Sequence, residues 1–453
     1  MVKLRLLGSA RTRIMLLFVL LLFVSLWAQS PYIIRRITTS QGGYNIQPSM
    51  NGRGDRVAFV SDRDLTRNPS AGLNNAEIFL RDEALGLFIQ VTSTAPNRPG
   101  DGRLNNSQPS ISSDGARIAF TSSRNLATEA PRDADGNAEI FLAEVPQRIV
   151  TRIRQITVTT RGVNYQPSLS FDGRRIAFVS DNNHTGDNPD GNQEIFLARP
   201  DESPRFVQIT NTRGGSNGQP SANFDGTRIA FVSDRNPVDS SPIACQQIFL
   251  TKLSPDATRV DEYVAITSPS ASGSSLQPSI NAAGNRIAFI SNQNLTDENP
   301  DGNARLFLWD EDVGVTQLTQ VTPKSQSMAG STLEPSLSAL GTRIAFVTDQ
   351  DPLSGNPLGN KDLFVWSGEP GDPTFVQVTS TRGGGLFPNA KPSMNEEGKK
   401  LAFVSNRVFT VGAKSGLRAP GLQDSHEEIY VAERPSGAIS KRTNKGRTVL
   451  IAK

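Results

Sequence analysis

Gln166-Pro167-Ser168-Leu169-Ser170-Phe171-Asp172-Gly173-Arg174-Arg175-Ile176-Ala177-Phe178-Val179-Ser180-Asp181 decides the fold, because six other stretches of the chain imitate it. A polar segment follows, then Glu194-Ile195-Phe196-Leu197 and Val207-Gln208-Ile209-Thr210. The Pro-Ser pair returns with Pro at 48, 109, 167, 220, 278, 335 and 392, at spacings of 61, 58, 53, 58, 57 and 57 residues. Gly falls six residues after every Pro, at 54, 115, 173, 226, 284, 341 and 398, and Ala-Phe falls ten and eleven residues after it. Self-similarity at a fixed period is an architectural signal, so the 453 residues are read as one array rather than as two or three domains.

Each repeated position has a mechanical meaning. The Gly, often preceded by Asp as at Asp114, Asp172 and Asp225, lies between two strand-like segments. It marks a tight hairpin that needs one residue in the left-handed conformation. The segment after it, such as Ile176 to Val179, is apolar on both alternating faces, as a strand buried on both sides must be. The segment before it carries Pro, which confines it to a sheet edge. A third strand is read at 78–80, 140–142, 195–197, 248–250, 306–308, 363–365 and 429–431, and a fourth ending in Thr at 92, 157, 210, 267, 319 and 379. Four antiparallel strands per repeat, with doubly apolar interior strands, describe the blade of a β-propeller. The expected fold is therefore all-β: a single seven-bladed propeller of four-stranded antiparallel blades. Ile33 to Thr38 and Ile439 to Thr443 compete to complete the last blade. The richer β-branched content favours 33–38, which would fasten the two chain ends together.

Composition agrees with short strands and many turns: 36% hydrophobic residues, 38 Gly and 29 Pro. Lys3, Arg5, Arg11 and Arg13 precede an apolar run from Ile14 to Trp27, the layout of a secretory signal. The run is short for a membrane span, so residues 1–28 are expected to be a signal-peptide helix, or an uncleaved anchor. Residues 29–443 then form the propeller and 444–453 a basic tail. Without its four N-terminal basic residues the formal charge of +3 becomes −1, which lacks the footprint of a nucleic-acid binder. Cys245 is the single cysteine, so no internal disulfide can form. The expected location is periplasmic or secreted, as a monomer with no membrane span in the mature chain.

The run Pro167-Ser168, Asp172-Gly173, Ile176-Ala177-Phe178, Ser180-Asp181, Glu194-Ile195-Phe196 and Ile209-Thr210 resembles the WD40-like repeat of TolB-type propellers. The likeness extends over about 33–443 and implies a TolB-like propeller in an envelope compartment, without the α/β domain that precedes the propeller in TolB itself. The motif encodes a blade, and blades serve many functions.

Function is expected on one face. Connections between second and third strands are long, at 62–76, 123–138, 181–193, 234–246, 292–305, 349–362 and 406–427. The fourth-to-first connections 93–108 and 320–334 add to the same rim. Long loops on a rigid scaffold are where binding usually resides. The reading is a non-catalytic binding module or scaffold for a protein or glycan of the cell envelope. The alternative is a hydrolase or lyase acting on carbohydrate or peptide with carboxylates at the channel mouth. No cofactor is implied, apart from a calcium-like alternation of oxygen ligands around a Gly turn. It is carried by Asp133, Asp135, Asn137 and Glu139, and again by Asp187, Asp190, Asn192 and Glu194. The same Asp-Gly-Asn pattern is an ordinary turn. His184 and His426 fall in different blades, and Cys245 has no evident activator, so none of them makes a catalytic centre.

Overall fold

Each copy of the repeat folds into one four-stranded antiparallel sheet. The computed structural model describes residues 32–94, 105–128, 136–267, 273–312, 315–323, 330–350, 352–353, 360–368, 374–381, 389–409, 418–435, 439–443 and 447–451. Blade three shows the pattern: Asn164–Leu169 innermost, then Ile176–Ser180, Glu194–Ala198 and Phe206–Gln208 outermost. The other inner strands are Asn45–Met50, Asn106–Ile111, Asn217–Ala222, Ser275–Ile280, Thr332–Leu337 and Asn389–Met394. Blade seven takes its fourth strand from the opposite end of the chain. Ile33–Arg36 pairs antiparallel with Arg418–Glu433, Ile34 facing Ala432. The N-terminal segment thus closes the ring, as expected from its β-branched content. Ile439–Thr443 pairs instead with Arg447–Ile451 in a separate two-stranded sheet. The signal segment 1–28 lies outside the described residues, and no helix among those residues is long and apolar enough to cross a membrane.

The Ala-Phe and Ile-Phe motifs meet inside each blade. Phe178 lies directly across from Phe196, and the same register pairs Phe59 with Phe79 and Phe403 with Tyr430. Ring centroids of the second- and third-strand aromatics are 5.6 to 6.1 Å apart in all seven blades. Such pairs add about 1 kcal/mol each beyond area burial. Yet no blade has a core of its own. The buried hydrophobic residues form seven clusters, and each joins two neighbouring blades. Ile176 and Phe178 pack with blade two, whereas Ala177 and Val179 pack with blade four, which is why this strand is apolar on both faces.

The repeated polar residues wire one blade to the next. The Ser of Pro-Ser accepts the inner-strand backbone N–H of the next blade, from Ser49 with Ile111 N at 3.2 Å to Ser393 with Met50 N at 2.9 Å, through all seven junctions. The Arg two residues after the hairpin Gly reaches a carbonyl in the next turn: Arg56 to Gly115 O at 2.9 Å, Arg175 to Asp225 O at 2.7 Å, and likewise for Arg117, Arg228, Arg286 and Arg343. The hairpin glycines hold φ between 66 and 75°, and a Cβ on Gly115 would stand 2.7 Å from the Arg56 side chain. The turns themselves join by backbone bonds of 2.8 to 3.3 Å: Gly52 N to Ser113 O, Ser113 N to Phe171 O, Asp172 N to Phe224 O, Phe224 N to Ala282 O, Ala282 N to Ala339 O, Leu340 N to Glu396 O and Glu396 N to Gly52 O. At about 4.8 Å per step, this closed ring is roughly 11 Å across between Cα atoms.

Two expectations are corrected. The fourth strands stop before the repeated Thr, which serves as a hydrogen-bond acceptor rather than a strand end. Thr210 Oγ1 accepts Ile195 N at 2.8 Å, and Thr38, Thr92, Thr157, Thr267 and Thr379 do the same in their blades. In blade five that residue is Thr322, which accepts Leu306 N at 3.0 Å, while Thr319 lies inside Val315–Gln320. Val321-Thr322 is the Ile/Val-Thr pair found at this place in the other repeats, as in Ile209-Thr210 and Val378-Thr379. Second, the connections 62–76 and 234–246, and 406–427 over its described residues 406–409 and 418–427, are largely ladder rather than loop. Arg63 pairs with Gly72, Arg235 with Pro242 and Arg407 with Gln423, each past a register shift. Bulges let these strands run on beyond the body of the sheet without continuing its regular ladder.

Candidate functional site

The two faces differ in kind. One carries the seven tight Gly turns stitched into a ring. The other carries the connections from second to third strands and from fourth strand to the next blade. On that face blades seven, one and four extend into hairpins. Two hydrogen bonds close the blade-four hairpin tip: Ser240 N bonds to Asn236 O at 2.8 Å and Ser241 N to Asp239 Oδ1 at 2.9 Å. At its apex Val238 is 74% exposed.

Beneath this face each junction buries a polar group at the start of the third strand. Glu77, Glu139, Glu194, Asp362 and Glu428 are at most 2% exposed. Glu194 Oε1 accepts Thr212 N and Thr212 Oγ1, both at 2.7 Å, and Asn192 Nδ2 at 2.7 Å, while Oε2 accepts Asn217 Nδ2 at 3.0 Å from the next blade. Glu139 repeats this with Thr159 and Asn164, Glu77 with Thr94 and Asn106, Asp362 with Thr381 and Asn389, and Glu428 with Ser40 and Asn45. Burial raises Glu139 and Glu194 above the usual carboxylate range and pushes Asp362 up to about 7, against the hydrogen bonds that favour the charged form.

These junctions absorb half of the calcium candidates. Asn137 donates to Thr159 O at 2.8 Å, so Asn137 and Glu139 belong to one junction, as Asn192 and Glu194 belong to the next. Asp190 accepts Gly214 N at 2.9 Å, and Asp187 is exposed on the same connection. Asp133 and Asp135 lie outside the described residues. Among those residues no group of three or more His, Cys, Asp or Glu is placed to hold a metal ion. His184 is wedged among Phe178, Phe196 and Phe206 and contacts Asn164 Oδ1 at 2.9 Å; burial lowers it to about 4. His426 Nε2 lies 2.7 Å from Ser40 O, and Cys245 sits within the third strand of blade four. Neither histidine contacts the other.

The residue before each Pro, to which the motifs above assign no role, holds the same place on every inner strand. Gln47, Gln108, Gln166, Gln219, Gln277, Glu334 and Lys391 all hold φ between 52 and 57°. That conformation costs a non-glycine residue about 1 kcal/mol or more. Five times the signal was a Gln at one fixed offset. Each Gln Oε1 accepts the backbone N–H of the corresponding residue one blade on, at 2.7 to 2.8 Å, ending with Gln277 and Glu334 N. Glu334 Oε2 then accepts Lys391 N at 2.7 Å, and its Oε1 meets Lys391 Nζ at 3.0 Å. Lysine has no acceptor, so the chain of links breaks between blades seven and one.

With this geometry in view, comparison with known proteins places the fold. No protein-family model matches the chain, and no curated protein matches its sequence. Solved structures do. A puromycin-hydrolysing peptidase of Mycobacterium tuberculosis is similar at a TM-score of 0.53 and 12% identity, over 91% of this chain and 53% of its own. A structure from work on two prolyl endopeptidases gives 0.51 at 12% identity, over 98% of this chain and 55% of its own. TolB from Acinetobacter baumannii aligns over 90% of this chain and 80% of its own, at 16% identity and a TM-score of 0.40. The chain spans about half the length of the two peptidases. At such identities the peptidase likeness establishes a shared fold and no shared chemistry.

Proposed function

We propose that this chain is a non-catalytic binding module of the cell envelope, exported by its N-terminal segment, which holds a protein or glycan partner on the face of long connections. The observation that carries this reading is the asymmetry of the two faces. The turn face is seven times the same and closed by backbone bonds. The opposite face varies in every blade and raises paired hairpins at Arg63–Gly72, Arg235–Pro242 and Arg407–Gln423. Variable, strand-paired structure on an invariant scaffold is suited to selective recognition. A hydrolase working through paired carboxylates finds less support. Glu334 is the one acid on the described inner strands, and it is bonded to Lys391.

The test is capture of partners from envelope extract by the mature protein and by Val238→Asp. The substitution removes an exposed apolar apex and touches no core residue. Its melting temperature is expected to match the parent within about 1 °C, since surface changes stay within about 0.5 kcal/mol. At least one captured partner is expected to be lost or reduced about tenfold. Identical capture by the parent and by a variant with all three hairpins cut to tight turns would remove the proposal.

A further inference from the structure

We propose that the axial channel is a second binding site, separate from the hairpin face, and that it takes a carboxylate group at the break between Lys391 and Gln47. The orientation of the amides is set by the groups they meet. A backbone N–H must meet an oxygen, so the bonds to Gln108 N, Gln166 N, Gln219 N, Gln277 N and Glu334 N fix Oε1 of each preceding Gln against the neighbouring blade. The Nε2 group of each is thereby turned away from that contact. Among the described residues these five Nε2 groups have no protein acceptor, and the five side chains are half-buried rather than sealed. The ring has spent its acceptors and kept its donors.

The charge distribution selects the ligand. Glu334 and Lys391 cancel, and Glu334 has both oxygens engaged by Lys391. The ammonium is the more open partner, its side chain 56% exposed against 20% for the carboxylate. One ammonium beside a ring of neutral amide donors suits a monoanion with two oxygens close together. A phosphate dianion would meet too little positive charge, and a cation would face amide donors and an ammonium, the side-chain oxygens of the ring being already engaged. Structure alone does not require a lysine here. A seventh Gln would complete the ring by accepting Gln47 N, as its five counterparts accept their neighbours. At the one junction where that bond is forgone, a cation stands in the channel instead. The Gln ring lies between the Ser ring and the buried polar residue that opens each inner strand (Asn in five blades, Ser275 and Thr332 in the other two), on the side of the long connections. The turn ring narrows the far end, so the ligand enters from the long-connection mouth.

The experiment measures binding to the full chain by calorimetry with four probes: N-acetyl-trialanine with a free carboxylate, its C-terminal amide, galacturonate and galactose. At least one acid is expected to bind about tenfold more tightly than its neutral counterpart. The peptide and sugar pairs show whether a chain end or a uronate is preferred. The double variant Glu334→Gln/Lys391→Gln completes a seven-amide ring. It should melt no lower than the parent and lose about tenfold in affinity for the acid, whereas Val238→Asp leaves that affinity unchanged. Equal binding of acid and neutral probes, no binding of either acid, or full affinity in the double variant would overturn the proposal. Should the double variant fold poorly, Lys391→Arg must keep the affinity and Lys391→Met must lose it.

Discussion

Glu194 and Arg305 stand at the same place, the first residue of the third strand, in blades three and five, and both are fully buried. One is an anion surrounded by donors: Thr212 N, Thr212 Oγ1, Asn192 Nδ2 and Asn217 Nδ2. The other is a cation surrounded by acceptors: Pro323 O at 3.1 Å, Asp301 Oδ2 at 2.8 Å, Asn299 Oδ1 at 3.3 Å and Gln350 Oε1. Between them in the ring, blade four has neutral Gln247, which accepts Thr267 Oγ1 at 2.5 Å. The junction therefore imposes no sign of charge. It imposes that the buried charge itself be matched on every side, while Asn192 Oδ1, Asn217 Oδ1 and Gln247 Nε2 of the same junctions have no partner among the described residues, because an unmatched charge costs far more than an unmatched amide.

Exchanging the two signs should have the largest effect. Glu194→Arg faces four donors with a donor, and Arg305→Glu faces four acceptors with an acceptor. Each is expected to lose about 5 kcal/mol in urea unfolding, since breaking a buried pair costs roughly 3–5 kcal/mol before repulsion. A loss below about 1 kcal/mol in either would show that water, not the matched set, satisfies the junction.

Next in size comes pH. Asp362 is raised from 3.8 to about 7, so the folded state holds its proton longer than the unfolded chain does. Its contribution is fully present below pH 3.8 and is lost as pH rises through about 7. His184 is lowered from 6.5 to about 4, so its contribution is present above pH 6.5 and is lost as pH falls through about 4. The two slopes oppose each other across most of that window. Asp362→Asn should therefore make stability rise more steeply with pH between 4 and 6.5, and His184→Phe should make it fall, each by a few kcal/mol over the range. Unfolding midpoints taken at pH 4, 5, 6 and 7 decide it; unchanged slopes in both variants would mean that water relieves both groups.

The smallest effect belongs to the uniform wiring. Ser168→Ala and Ser279→Ala each remove one acceptor, for Ala222 N and Leu337 N. Each is expected to lose about 1 kcal/mol, alike at both junctions, because these links do not vary with the charge buried above them. A clear difference between them would tie the serine ring to the polar junctions after all.

The blade and the number of blades were legible because their signals are local. Asp172-Gly173 makes its own hairpin, and Ile176 to Val179 shows its double burial in consecutive residues. The polar junctions were not, because Glu194 meets Asn217 from the next repeat, and nothing within Asn192-Gln193-Glu194 distinguishes such a clamp from a cation loop. The Gln before Pro was plain in the letters yet silent in meaning, since its partner lies a whole blade further on. Thr319 misled for a local reason: Leu318-Thr319 stands three residues before Val321-Thr322, the pair that matches Ile209-Thr210 and Val378-Thr379, so the equivalent Thr was legible after all.

Periodicity, apolar patterning and turn chemistry are properties of short segments, and they alone determined that this chain builds seven like sheets with the N-terminal segment completing the last. Only the closed ring decided what each sheet says to the next: which buried charge each junction carries, which amides reach across to the next blade, and where one lysine interrupts them. Those facts depend on atoms about 57 residues apart coming within 3 Å, and such distances are set by ring closure rather than by any segment of the chain.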